Sequence, residues 1–193
     1  MSERRLIGIT GGLATGKTTV TDLFVEKGAV RVDADEIAHR VLRENEDVRN
    51  KIMDFFGGSI MTGNRIDRAK LGKLVFSDPA KLARLSEITH PVIITEIKRI
   101  VNEKPGQLIV IDAPLLIESG LYSFVDIVIV VTCAYETQIE RAKKRGIPED
   151  QAVKIIKRQM PLEEKAEYAD FIIENNREID TIKKGVDRIW EKL

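Results

Sequence analysis

The chain has 193 residues, 43% hydrophobic and 32% charged, enough apolar content for one large domain with a core and too much for a disordered polyelectrolyte. Its 31 basic and 31 acidic residues cancel, which excludes recognition of nucleic acid or an anionic membrane by overall charge but leaves room for a small anion held by a local cluster. The single cysteine, Cys133, excludes an internal disulfide and a cysteine-based zinc site and points to the cytoplasm; no apolar run approaches the ~20 residues of a membrane span, and Leu6-Ile7-Gly8-Ile9, after Glu3, Arg4 and Arg5, is too short for a signal peptide's apolar region.

The first predicted element is a strand over Leu6 to Thr10, whose apolar residues run on without alternation, as in strands covered on both faces. It leads into Gly11-Gly12-Leu13-Ala14-Thr15-Gly16-Lys17-Thr18, which fits G-x-x-x-x-G-K-[ST], the Walker A phosphate loop. The glycines let backbone N–H groups turn inward around phosphate oxygens. Lys17 places a point charge at the β- and γ-phosphates, and the Thr18 hydroxyl offers Mg²⁺ a hard oxygen ligand. The helix that follows, with Val20, Leu23 and Phe24 at helical spacing and Gly28 as its stop, adds its positive N-terminal dipole. The motif and its strand–loop–helix setting predict nucleotide binding without saying which nucleotide.

The second strand, Ala29 to Val32, ends at Asp33 and Asp35. In open parallel sheets the ligand crevice lies beyond the carboxyl ends of the strands, where a carboxylate can orient a hydroxyl nucleophile toward the γ-phosphorus. Either aspartate also reads as a helix N-cap before Ile37, Ala38, Val41 and Leu42; the strand-end position favours catalysis for Asp33, and for Asp35 the two readings stand level. His39 reads as a surface residue of this helix. Asp33 to Gln107 is about 75 residues of mostly helical pattern, too long for one crossover, so an inserted helical subdomain is predicted, with His90-Pro91 interrupting a long helical run.

A third strand, Leu108 to Ile111, ends at Asp112, which resembles the acid that holds Mg²⁺ in nucleotide sites, directly or through water; the other reading is a cap before Pro114. The fourth strand runs from Asp126 to Val131, with Cys133 as a small core residue after it. A second helical insert, around Arg141 to Tyr168, precedes the fifth strand, Phe171-Ile172-Ile173. From Arg141 to Arg158 seven bases face two acids, a balance of +5, and from Gln159 to Thr181 seven acids face two bases, a balance of −5. Such runs usually form solvated helix faces, but Arg141 and Arg145, spaced i, i+4, can point the same way over a triphosphate, with Gly146 and Pro148 as a hinge after them. The last helix sets Ile182, Val186, Ile189, Trp190 and Leu193 on one face.

Strand and helix alternate around a phosphate loop, so the prediction is an α/β fold: a P-loop NTPase-type three-layer core with a five-stranded parallel sheet and two helical inserts, the second a helical lid. The core is expected over 1–34, 105–140 and 169–193, the insert over about 35–104 and the lid over about 141–168.

The residues taken together resemble the dephospho-CoA kinase family over nearly the whole chain. The resemblance is carried by Ile9-Thr10-Gly11-Gly12 through Lys17-Thr18, Asp33-Ala34-Asp35 with Ile37-Ala38, and Ile66-Asp67-Arg68 with Leu71 and Phe76. It continues through His90-Pro91, Pro114-Leu115-Leu116 with Glu118, Gln138 with Arg141 and Arg145, Gln159, and Ala169-Asp170 with Ile173 and Asn175. Two departures are small: Thr18-Thr19 stands where Ser-Thr is common, and Arg177 where glycine is common. The resemblance implies ATP-dependent phosphorylation of the ribose 3′-hydroxyl of dephospho-CoA, the last step of CoA synthesis, with Mg²⁺ accompanying ATP. It implies Asp33 as catalytic base, Lys17, Arg141 and Arg145 as phosphate ligands, and Gly11 to Thr19 with Asn175 around ATP. The first insert would be a helical substrate-binding insert. Asp35, His90, Pro91 and Leu115 would serve the acceptor, and Thr18 and Asp112 the metal. The partners expected are ATP and dephospho-CoA, with no nucleic acid and no membrane, in a monomer or small homo-oligomer. A nucleoside monophosphate kinase would share loop and lid but need a monophosphate-binding arginine set; a GTPase-type switch would need an Asn-Lys-x-Asp motif, which the chain lacks.

Overall fold

The computed structural model describes residues 5–76, 78–176 and 179–193; Glu3, Arg4 and Arg177, singled out above, lie outside them. Five strands, β1 (Leu6–Gly11), β2 (Val30–Asp33), β5 (Ile109–Asp112), β6 (Ile127–Thr132) and β7 (Phe171–Glu174), form one parallel sheet in the order β2-β5-β1-β6-β7. All five coincide with the predicted strands to within about one residue. Every residue of β1, the central strand, is buried, as its unbroken apolar run requires.

The period of two along β1 assigns the sheet's faces. Ile7 and Ile9 point into a core with Val20 and Phe24 of α1 (Lys17–Glu26) and Ile182, Val186 and Ile189 of α9 (Ile179–Trp190). Gly8 and Thr10 face the other way. A Cβ on Gly8 would lie 2.6 Å from a Leu116 methyl, so this face is packed by the turn after β5. Trp190 reaches the first core from its edge, 6.2 Å from the Phe24 ring between centroids. Cys133, after β6, is a free, buried thiol. Beyond β6 come α6 (Tyr135–Lys144), α7 (Glu149–Ile156) and α8 (Leu162–Ala166). These elements, over 1–33 and 104–193, form one compact unit.

Residues 34–103 form a second compact unit. It holds α2 (Ala34–Glu44), α3 (Glu46–Phe56), a two-stranded antiparallel hairpin of β3 (Met61–Thr62) and β4 (Arg65–Ile66), α4 (Arg68–Phe76) and α5 (Pro79–Asn102). His39 is exposed on α2. The structure corrects one expectation: Pro91 does not interrupt the helical run but lies inside α5, a continuous helix of 24 residues. Proline removes one donor and crowds the preceding turn, a cost of roughly 3 kcal/mol in an isolated helix. α5 tolerates it because α2, α3 and α4 all pack against it, with its start fixed by Asp78, which accepts from Ala80 N and Lys81 N. No described helix is long and apolar enough to cross a membrane.

Candidate active site

The phosphate loop leaves β1 at Gly11 and enters α1 at Lys17. Two residues hold left-handed backbone: Gly16, φ 92, and Ala14, φ 56. The alanine bears a cost of about 1 kcal/mol there, strain of the kind that persists where surrounding contacts over-determine the backbone. Three side-chain amides supply those contacts. Gln138 Nε2 donates to Leu13 O at 2.8 Å, Leu13 N donates to Gln159 Oε1 at 2.9 Å, and Asn175 Nδ2 donates to Thr15 O at 2.7 Å. A Cβ on Gly12 would lie 2.5 Å from Gln138 Nε2, and one on Gly16 2.0 Å from Asn175 Nδ2. Glycine is required there because the braces occupy the side-chain space.

At the ends of β2 and β5 the parallel register pairs Asp33 with Asp112. Asp112 is 1% exposed, and a buried carboxylate is stable only when paired. Lys17 Nζ contacts its Oδ1, and Arg31 Nη2 donates to its Oδ2 at 2.8 Å. The same Nη2 donates to Asp33 Oδ2 at 2.8 Å. Lys17, Asp112, Arg31 and Asp33 therefore form one continuous chain of alternating charge. Thr18 is exposed on the first turn of α1.

Arg141 and Arg145 line one cavity of about 270 Å³ beside the loop, together with Ala14, Gly16, Thr19 and Asn175. Arg141 Nη2 donates to Asn175 Oδ1 at 3.2 Å, while its Nη1 is buried without a hydrogen-bond partner among the described residues. A buried guanidinium nitrogen with an unmet donor, in a cavity it shares with Arg145 and the glycine loop, suits an anionic ligand. Burial pushes the Cys133 thiol above its ordinary pKa, with the nearby Arg141 opposing the shift, so Cys133 behaves as a core residue and not as a thiolate.

Leu115 is 42% exposed in the turn after β5. That turn is pinned by Lys165 of α8, whose ammonium is wholly buried and donates to Pro114 O at 2.7 Å and to Glu118 Oε2 at 3.0 Å. Asp35, His90 and Pro91 lie in the other compact unit: Asp35 exposed in the first turn of α2, His90 half-buried and Pro91 exposed in mid-α5. The sequence reading assigned nothing to Arg31 or Lys165, and quoted Gln138 and Gln159 without a role.

A family model described as dephospho-CoA kinase matches residues 5–181. A dephospho-CoA kinase of Aquifex aeolicus is 42% identical over 190 residues, 97% of this chain and 96% of that protein. Among solved structures, one from Thermus thermophilus superposes with a TM-score of 0.85 at 28% identity, covering 99% of this chain and 98% of that one. A dephospho-CoA kinase from Campylobacter jejuni does so with a TM-score of 0.71 at 28% identity, over 97% and 96%.

Proposed function

Because the chain belongs to the dephospho-CoA kinase family, we propose a division of labour among its residues for that family's reaction. The reaction transfers the γ-phosphoryl group of ATP to the ribose 3′-hydroxyl of dephospho-CoA, giving CoA and ADP as the final step of CoA synthesis. The observation that carries the residue assignment is the charge chain Lys17–Asp112–Arg31–Asp33 at the strand ends beside the phosphate loop.

The triphosphate lies on the loop from Gly11 to Thr18, with Lys17 exchanging its contact to Asp112 for one to the β- and γ-phosphates. Arg141 and Arg145 reach the phosphates from α6, and Thr19 and Asn175 border the nucleotide. Asp33 orients the 3′-hydroxyl. Its oxygen bonds to the γ-phosphorus as the bond to the β,γ-bridging oxygen breaks, that oxygen departs with ADP, and the hydroxyl proton passes to Asp33. Lys17 and the arginines stabilise charge on the transferring group. From the family resemblance, Asp35, His90, Pro91 and Leu115 are assigned to the acceptor; the 141–168 segment closes over ATP to exclude water.

The donor set beside the loop fits Mg²⁺. Thr18 offers a hydroxyl, and Asp112, both of whose oxygens already face cations, offers a carboxylate best used through water. Among the described residues no cluster of three acidic, histidine or cysteine side chains could hold a metal alone, so phosphate oxygens would supply further ligands, as is usual for this ion. Held by Thr18 and, through water, by Asp112, the ion would supply positive charge that offsets charge on the phosphate oxygens. The enzyme works in the cytoplasm on these two small molecules, without nucleic acid or membrane, as a monomer or small homo-oligomer.

The test is an ADP-release assay offering dephospho-CoA, AMP and GTP separately. Turnover is expected with dephospho-CoA and ATP; turnover with AMP but not dephospho-CoA would overturn the assignment.

A further inference from the structure

Arg31 stands between Val30 and Val32 in β2. The period of two puts Arg31 and Asp33 on the same face of β2, and the register sets Asp33 opposite Asp112 on β5. Two carboxylates at paired positions repel, and Arg31 Nη2 stands between them, 2.8 Å from an oxygen of each. The other end of the guanidinium is tied to α1, with Nη1 3.4 Å from Asp22 Oδ1. Asp112 is 1% exposed, whereas the Asp33 side chain is 28% exposed. The buried acid is thus the fixed end of the chain, and the exposed acid is the end that meets solvent.

We propose, on the reading of Asp33 as the transfer base, that Arg31 is a positioning residue for phosphoryl transfer. By binding Oδ2 it fixes the rotation of the Asp33 carboxylate and holds it in the orientation from which it receives the hydroxyl proton. It does this by tying Asp33 to Asp112, the buried carboxylate at the paired position on β5. Arg31 touches neither substrate nor the reacting atoms. Placement at this precision matters because a displacement of ~1 Å costs roughly 10²-fold in rate.

The experiment compares Arg31→Gln, Arg31→Lys, Asp33→Asn and the double variant Arg31→Gln/Asp33→Asn in the full-length enzyme. It measures kcat, both KM values, ADP affinity by calorimetry and the thermal midpoint. Arg31→Gln is expected to lower kcat by roughly 10- to 100-fold, with both KM values and ADP affinity close to wild type and a lower thermal midpoint, because Asp33 and Asp112 then face each other with one cation fewer. Arg31→Lys is expected to recover most of kcat, because a single nitrogen makes both carboxylate bonds. In the Asp33→Asn background, Arg31→Gln is expected to change kcat by less than about twofold, the non-additivity of residues that act through one another. The inference is overturned by wild-type kcat in Arg31→Gln, by a loss that persists undiminished in the Asp33→Asn background, or by a loss accompanied by weakened ADP binding that Lys restores together with kcat. Retained kcat in Asp33→Asn overturns the base reading itself, which separates its failure from that of Arg31.

Discussion

The Asn175 amide nitrogen occupies the space where a side chain on residue 16 would begin, 2.0 Å from the Cβ position built on Gly16. Gly16 also lies at φ 92, so this glycine is required twice, by conformation and by contact. Gly16→Ala is expected to lower both the thermal midpoint and ATP affinity, since the conformation alone costs about 1 kcal/mol. Adding Asn175→Ala removes the collision but not the conformational cost, so the double variant is expected to melt above Gly16→Ala and below wild type. A Gly16→Ala protein that melts and binds ATP as wild type does would contradict this.

Asp33→Asn keeps the size of the side chain and removes its ability to take a proton. ATP affinity is expected to hold while turnover falls roughly 10²–10⁴-fold. Calorimetry for the first and ADP release for the second separate the two. A nearly active variant would leave Asp33 only the capping role that its position before α2 also allows.

Lys17→Ala removes one of the two cations on buried Asp112 along with the charge meant for the triphosphate. ATP affinity and transfer rate are expected to fall together. Unchanged values of both, from titration calorimetry and single-turnover rates, would count against the phosphate-loop assignment.

Burial pushes the Lys165 ammonium below its ordinary pKa of 10.5, with Glu118 opposing the shift. In the window between the folded value and 10.5 the unfolded chain binds more protons than the folded one, so stability rises with pH there; it is fully present above 10.5 and lost as pH falls through the folded value. The stability of wild type relative to Lys165→Met, read from urea unfolding, is expected to increase as pH rises toward the ordinary lysine value. A difference that is flat or falls over that range would contradict the sign.

The five parallel strands were legible because buried strands carry unbroken apolar runs, and the phosphate loop because its spacing is a local pattern. The β3–β4 hairpin was not, since strands of two residues each are too short to show a period. Pro91 misled because a residue rule for helix interruption takes no account of three helices packed on α5. The loop braces escaped for a different reason. Gln138 and Gln159 meet Leu13 across 125 and 146 residues of sequence, and an amide that grips a backbone atom at that distance leaves no spacing to read. Arg31 carries no motif of its own, and only the register of β2 on β5 discloses the two carboxylates it joins.

Gln138 and Gln159 hold opposite polar groups of one peptide residue, Leu13, from the two ends of the segment 139–158. The grip uses the backbone of Leu13 and makes no demand on its side chain. Between the two grips the segment is a closed excursion, entering and leaving at a fixed point. Closure entropy grows only slowly with loop length, so residues added or removed around Gly146 would change the reach of the excursion while its anchorage stayed in place. In this fold, then, the span of the 139–158 segment and the shape of the loop it grips are separable properties, free to be altered one at a time.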